Sequence, residues 1–272
     1  MEKSDIFSLQ EFIGKIDLNS DHAYNKLIKA FTNKFIMPLI FMPLKKSSYT
    51  FRSRTNINGE DFLSYDDISY PDEKYVTKYS RANIPQQIMF YSSDNFHTSL
   101  AELLPFGEHI IYPGQTLNVT TGLWEFEEQI FVAVIPDFGN KRLMDYIGKL
   151  PELRVNTIVV EYWNFINHYF CDQGIINPNV YKFTSAFCNA MFANSKQMNA
   201  EIDGVLYTSL QDADGWNLAI SQKFVDKHLR LIDVSKHLIT RREDRNGKPV
   251  YDNFMGSVSA KRLDPNLHRI IW

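Results

Sequence analysis

Twelve glycines are spread along the 272-residue chain, and no two of them lie closer than seven positions apart. Walker loops and dinucleotide fingerprints need glycines at much shorter spacing, because the backbone must approach a phosphate where a Cβ would obstruct it. Neither motif can be written here. That excludes the glycine-loop forms of the P-loop and doubly wound folds. A phosphate-bearing ligand would have to be held by arginines and hydroxyls instead.

The hydrophobic share of 44% and the aromatic share of 14% are enough to build a sizeable core without covalent staples. The formal net charge is −3, so there is no basic excess to track a phosphate backbone, and nucleic acid is not expected as a direct partner. Cys171 and Cys188 are the two cysteines. Both sit among apolar neighbours and read as buried thiols, and so low a count fits a reducing compartment. Charges at Glu2, Lys3 and Asp5 leave no apolar run for a signal peptide, and no stretch reaches eighteen apolar residues. A cytoplasmic protein is the expectation, with no membrane partner.

Apolar residues recur at helical spacing over 6–16 and 22–35, Tyr24, Leu27, Ile28, Phe31 and Phe35 marking one face of the second. Residues 35–44, interrupted by Pro38 and Pro43, read as a buried extended segment. Ser48 to Arg54 alternates as a strand, and 56–80 reads as a long ordered loop. Short strands are expected at 88–91, 129–135, 204–209 and 228–234, and helices over 152–171 and 178–195. Helices and strands mix without βαβ regularity, which indicates an α+β fold. The expected division is a helical N-terminal extension over 1–45 and a catalytic region over 46–272, forming one continuous domain.

Other local signatures are missing. None of the seven histidines lies three to five residues from another, the cysteines form no Cys-x-x-Cys pair, and no Gly-x-Ser-x-Gly elbow occurs. No metal site is expected. What stands out is residues 80–104, SRANIPQQIMFYSSDNFHTSLAELL. Arg81 opens it, and Tyr91 ends a buried strand ten residues later. Ser92, Ser93, Asp94 and Asn95 supply helix-cap chemistry, and a short helix follows up to Pro105. Phe96, Leu100, Leu103 and Leu104 share one face of that helix, leaving Glu102 on the other side to meet a cleft or solvent. Taken singly, a helix glutamate, an arginine and a core tyrosine are each ordinary.

FRSR at 51–54, SRAN at 80–83, MFYSS at 89–93, SLAEL at 99–103 and GVLYTSL at 204–210 occur in that order, with Asn217 close behind. This series resembles the RES domain family. The resemblance spans residues 49–234. It implies a mixed β core like that of ADP-ribosyltransferases, surrounded by helices. It also implies a toxin of a toxin–antitoxin pair that cleaves NAD⁺ at the nicotinamide–ribose bond. NAD⁺ would then be the substrate, and no cofactor is implied. Inorganic phosphate or water would be the acceptor, and a helix-turn-helix antitoxin a partner. A homo-oligomer is also open. Arg81, Tyr91, Glu102 and Ser209 would be catalytic. Arg52 or Arg54, together with Asn217, would bind the substrate. A protein ADP-ribosyltransferase, or a non-catalytic nucleotide- or partner-binding module, are the alternatives.

Overall fold

The computed structural model describes residues 2–56, 59–103, 114–148, 156–172, 177–243, 245 and 249–272. Pro105, the expected helix stop, and Leu104 lie outside these residues. The fold is α+β and centres on a nine-stranded sheet in the order β1-β5-β6-β7-β3-β2-β4-β8-β9. These are β1 (Phe41–Leu44), β2 (Tyr49–Thr55), β3 (Met89–Ser93), β4 (Thr116–Phe126), β5 (Ile130–Val134), β6 (Gly204–Thr208), β7 (Trp216–Ser221), β8 (Leu229–Glu243) and β9 (Pro249–Ser259). Only β5 and β6 run parallel; all other neighbours are antiparallel. A separate hairpin joins β10 (Arg262–Asp264) to β11 (Arg269–Ile271).

Helices α1 (Lys3–Gly14) and α2 (Ala23–Asn33) form where the spacing places them, and pack on α5 (Thr157–Phe170) and α6 (Val180–Gln197) respectively. Shorter helices are α3 (Phe96–Leu103), α4 (Lys141–Ile147) and α7 (Gln222–His228). Ile6, Leu9, Ile13, Leu27 and Phe31 enter the same buried cluster as the central strands. Phe31 meets Phe183 and Phe187 edge-on at 5.4 and 5.2 Å. β1 is one of the two edge strands of the main sheet. Ile6 to Leu44 therefore contribute to the common core.

The expected strand at Ser48 to Arg54 is β2, and the described residues of the 56–80 stretch include a 3-10 turn at Glu73–Tyr75 and an isolated bridge from Ser64 to Arg269. The largest difference is in the C-terminal half of the sheet. β4, β7, β9 and the β10–β11 hairpin were not anticipated, nor were α4 and α7, and β8 continues nine residues beyond the expected 228–234 segment. β7 reads WNLAIS and is buried except at its last residue, so it lacks the alternation that marks a half-exposed strand. Cys188 is buried as expected, whereas Cys171, just past α5, is exposed. Among the described residues no helix is long and apolar enough to cross a membrane.

Candidate functional site

β2 and β3 share one registered pair, Phe51 with Ser93. Continuing that register would set Ser53 opposite Tyr91. Instead the Tyr91 carbonyl accepts from Arg52 Nη1 at 2.6 Å, so a side chain bridges the gap the backbones leave. The parting of the two strands opens a cleft of about 220 Å³, lined by Arg52, Ser53, Tyr91, Glu102, Tyr207 and Asn217 among others.

One wall is the short helix α3 (Phe96–Leu103), which packs on β2 and β3. Its cap is Asn95, whose Oδ1 accepts from Thr98 N at 2.9 Å. Leu100 is buried with Val119 and Ile239, and Phe96 and Leu103 pack on the same group, as the helical spacing requires. Ser99 Oγ lies 2.6 Å from Ser53 Oγ, which in turn lies 2.7 Å from Thr121 Oγ1, so a hydroxyl chain ties α3 to two strands. Thr98 Oγ1 donates to Asp212 at 2.6 Å, and Asp94 Oδ1 accepts from Trp216 N at 3.1 Å. These bonds pull the loop between β6 and β7 onto the start of α3.

That loop is what positions Glu102. Its Oε1 accepts three hydrogen bonds: from Ser209 Oγ at 2.6 Å, Leu210 N at 3.0 Å and Asn217 Nδ2 at 2.8 Å. Asn217 is itself held, its Oδ1 accepting from Ser93 Oγ at 2.7 Å. Glu102 Oε2 meets no donor among the described residues. A carboxylate in the last turn of a helix stands against the helix dipole. Three donors on one oxygen offset that penalty and fix the orientation, leaving the second oxygen for the cleft.

Arg52 is the cation of the cleft. It donates from Nε to Ser69 O at 3.0 Å and lies 5.4 Å above the Phe90 ring. Among the described residues it meets no carboxylate. Burial, and then the like charge of Arg54, pull its guanidinium down to about 9. Because a guanidinium stays charged in proteins, that shift measures how poorly its charge is compensated. Arg54 turns away and donates to Asp67 O at 2.6 Å, beside the Phe62 ring. Of the two alternatives, Arg52 is the one at the cleft.

Arg81 and Ser209 differ most from their expected roles. Arg81 is buried, and its Nη1 donates to the carbonyls of Phe170 and Asp172, at the C-terminal end of α5. There it satisfies carbonyls that a helix end leaves open, and it does not line the cleft. Ser209 Oγ donates to Glu102 and accepts from Gln211 N at 3.2 Å and Asp212 N at 3.0 Å. That full set leaves it holding Glu102, not a phosphate. The Tyr91 hydroxyl is occupied too, donating to Asn83 Oδ1 at 2.6 Å and accepting from Ala82 N at 3.0 Å. Burial raises this phenol above its ordinary value. With its carbonyl taken by Arg52, the ring is what Tyr91 offers a ligand.

Sequence reasoning missed Ser93, Ser53 and Tyr207. All three lie inside motif blocks, but none was marked there as a site residue. A second cavity of about 360 Å³ shares Arg52 and Tyr91 with the cleft and is bounded by Tyr75, Lys78, Ser80, Asn83 and Gln87. Among the described residues no group of His, Cys, Asp or Glu could hold a metal ion. No family model, curated protein or solved structure matches this chain.

Proposed function

We propose that this protein cleaves NAD⁺ at the nicotinamide–ribose bond, with inorganic phosphate or water as acceptor. The observation that carries the reading is Glu102: a carboxylate locked by three donors on one oxygen, lining a cleft that it shares with Arg52, an arginine that meets no carboxylate among the described residues. Nicotinamide leaves as a neutral group, so the reaction needs no general acid. It needs a negative charge beside the ribose carbon as the oxocarbenium character grows. Glu102 Oε2 supplies that charge, or grips the ribose hydroxyls, without reorganising. Arg52 meets the pyrophosphate, whose two charges relieve its desolvation. The cleft is smaller than the roughly 300–1,000 Å³ of whole-ligand sites. It suits the nicotinamide–ribose end, and the adjoining cavity offers room beyond Arg52.

In the test, purified protein is incubated with NAD⁺, with and without phosphate, and the products are separated by chromatography. Glu102→Gln runs alongside, because glutamine keeps an oxygen for the three donors and loses only the charge. Nicotinamide release by wild type should fall about 10²–10³-fold in the variant. Release dependent on phosphate makes the enzyme a phosphorylase, and release without it a glycohydrolase. Label from the adenylate half appearing on protein makes it an ADP-ribosyltransferase. No release by wild type, even with cell extract, sinks the enzymatic reading in favour of a binding module. A toxin role and a helix-turn-helix antitoxin partner follow from the motif resemblance and are part of the same proposal.

A further inference from the structure

Tyr207 sits on β6 directly opposite Asn217 on β7. Directly opposed residues of antiparallel strands project to the same face, so the phenol rises beside the amide that holds Glu102. Its ring packs 6.1 Å from that of Phe170. It is 4% exposed and lines the cleft. Its hydroxyl makes no hydrogen bond among the described residues, yet it is not sealed in like the unpartnered hydroxyl of Tyr162. Buried phenols normally find a partner. The contrast with Tyr91, whose hydroxyl is taken at both ends by Asn83 and Ala82, is sharp.

We propose that Tyr207 is a substrate-binding residue whose hydroxyl donates to an acceptor oxygen on the nicotinamide–ribose half of the ligand; the assignment rests on the NAD⁺-cleavage reading. Burial raises this phenol well above its ordinary value. It therefore stays protonated at neutral pH and acts as a donor, not as an acid or base. The hydroxyl orients the sugar against Glu102 Oε2. Free protein loses no internal hydrogen bond when it is removed.

The experiment measures NAD⁺ binding by calorimetry to a Glu102→Gln parent and to the same parent carrying Tyr207→Phe, with melting curves of both unliganded proteins. Tyr91→Phe in the same parent is the structural control. The expected result is an unchanged unliganded Tm with Tyr207→Phe, a lowered Tm with Tyr91→Phe, and a dissociation constant about tenfold weaker with Tyr207→Phe, the size of one lost hydrogen bond. Equal affinity in the parent and Tyr207→Phe overturns the Tyr207 assignment and leaves the cleavage reading standing. So does a Tm loss matching that of Tyr91→Phe, which would make the hydroxyl structural. No NAD⁺ binding by the parent overturns both.

Discussion

Arg52 is held at an energetic disadvantage, a buried cation with no counter-ion among the described residues. Local strain of this kind is sustained only where surrounding structure over-determines it, and it concentrates at functional sites. The sign of the Arg52 effect can be measured. A desolvated cation is relieved by an anion, so phosphate or pyrophosphate should bind the folded state and raise Tm. At ten times the dissociation constant the stabilisation is about 1.4 kcal/mol. Arg52→Met should melt at a temperature independent of phosphate, and Arg54→Met should still respond, because Arg54 is engaged with the Asp67 carbonyl outside the cleft. Thermal melting over a phosphate series decides this. A phosphate response that survives in Arg52→Met would place the anion elsewhere.

At the scale of elements, the site depends on how closely the β6–β7 loop approaches α3. Gly215 is the point of contact. A Cβ there would come within 2.3 Å of Thr98 Oγ1 and 2.6 Å of Thr98 Cγ2. Asn140 Nδ2 also donates to the Gly215 carbonyl at 2.8 Å, so the backbone cannot easily shift away. Gly215→Ala should cost about 1–3 kcal/mol of stability through overpacking. It should also lower NAD⁺ cleavage by more than that loss of folded protein explains, since Ser209 and Leu210 would no longer meet Glu102. Urea unfolding alongside rates per folded molecule checks this, and unchanged rates would show that the Glu102 clamp does not depend on this approach. Arg81 belongs to the same scale. It joins the SRAN segment to the end of α5, and so acts on the site through the packing of two elements.

For the whole molecule, the consequence is that the N-terminal 45 residues cannot be removed as a module. Phe31 is fully buried between Phe183 and Phe187 of α6. Phe31→Ala should destabilise the protein by about 3–5 kcal/mol, with a single unfolding transition if the sheet and all four packed helices form one cooperative unit. Calorimetry would show this as one lowered peak. Two separate transitions would instead mark an independent helical layer.

The positions of α1, α2, α3, α5 and α6, the β2 and β3 strands, a cap among Ser92 to Asn95 and the face that buries Leu100 were legible along the chain, because each depends on a pattern within a few residues, whereas α4 and α7 were not. Glu102 taken singly was an ordinary helix glutamate, and only the motif resemblance singled it out. β7 was not legible, since a strand buried on both faces has no alternation to read, and β4 was missed although its last four residues do alternate. Whether Glu102 faced a cleft, which of Arg52 and Arg54 reached it, and whether Arg81, Tyr91 and Ser209 had atoms to spare were also beyond the sequence. These depended on hydrogen-bond partners up to 115 positions away, such as Asn217 for Glu102. The sequence by itself determined which side chains were candidates for a site. Only the tertiary structure decided which of them keep a free atom for it, because each donor and acceptor is satisfied by whatever the fold brings within about 3 Å.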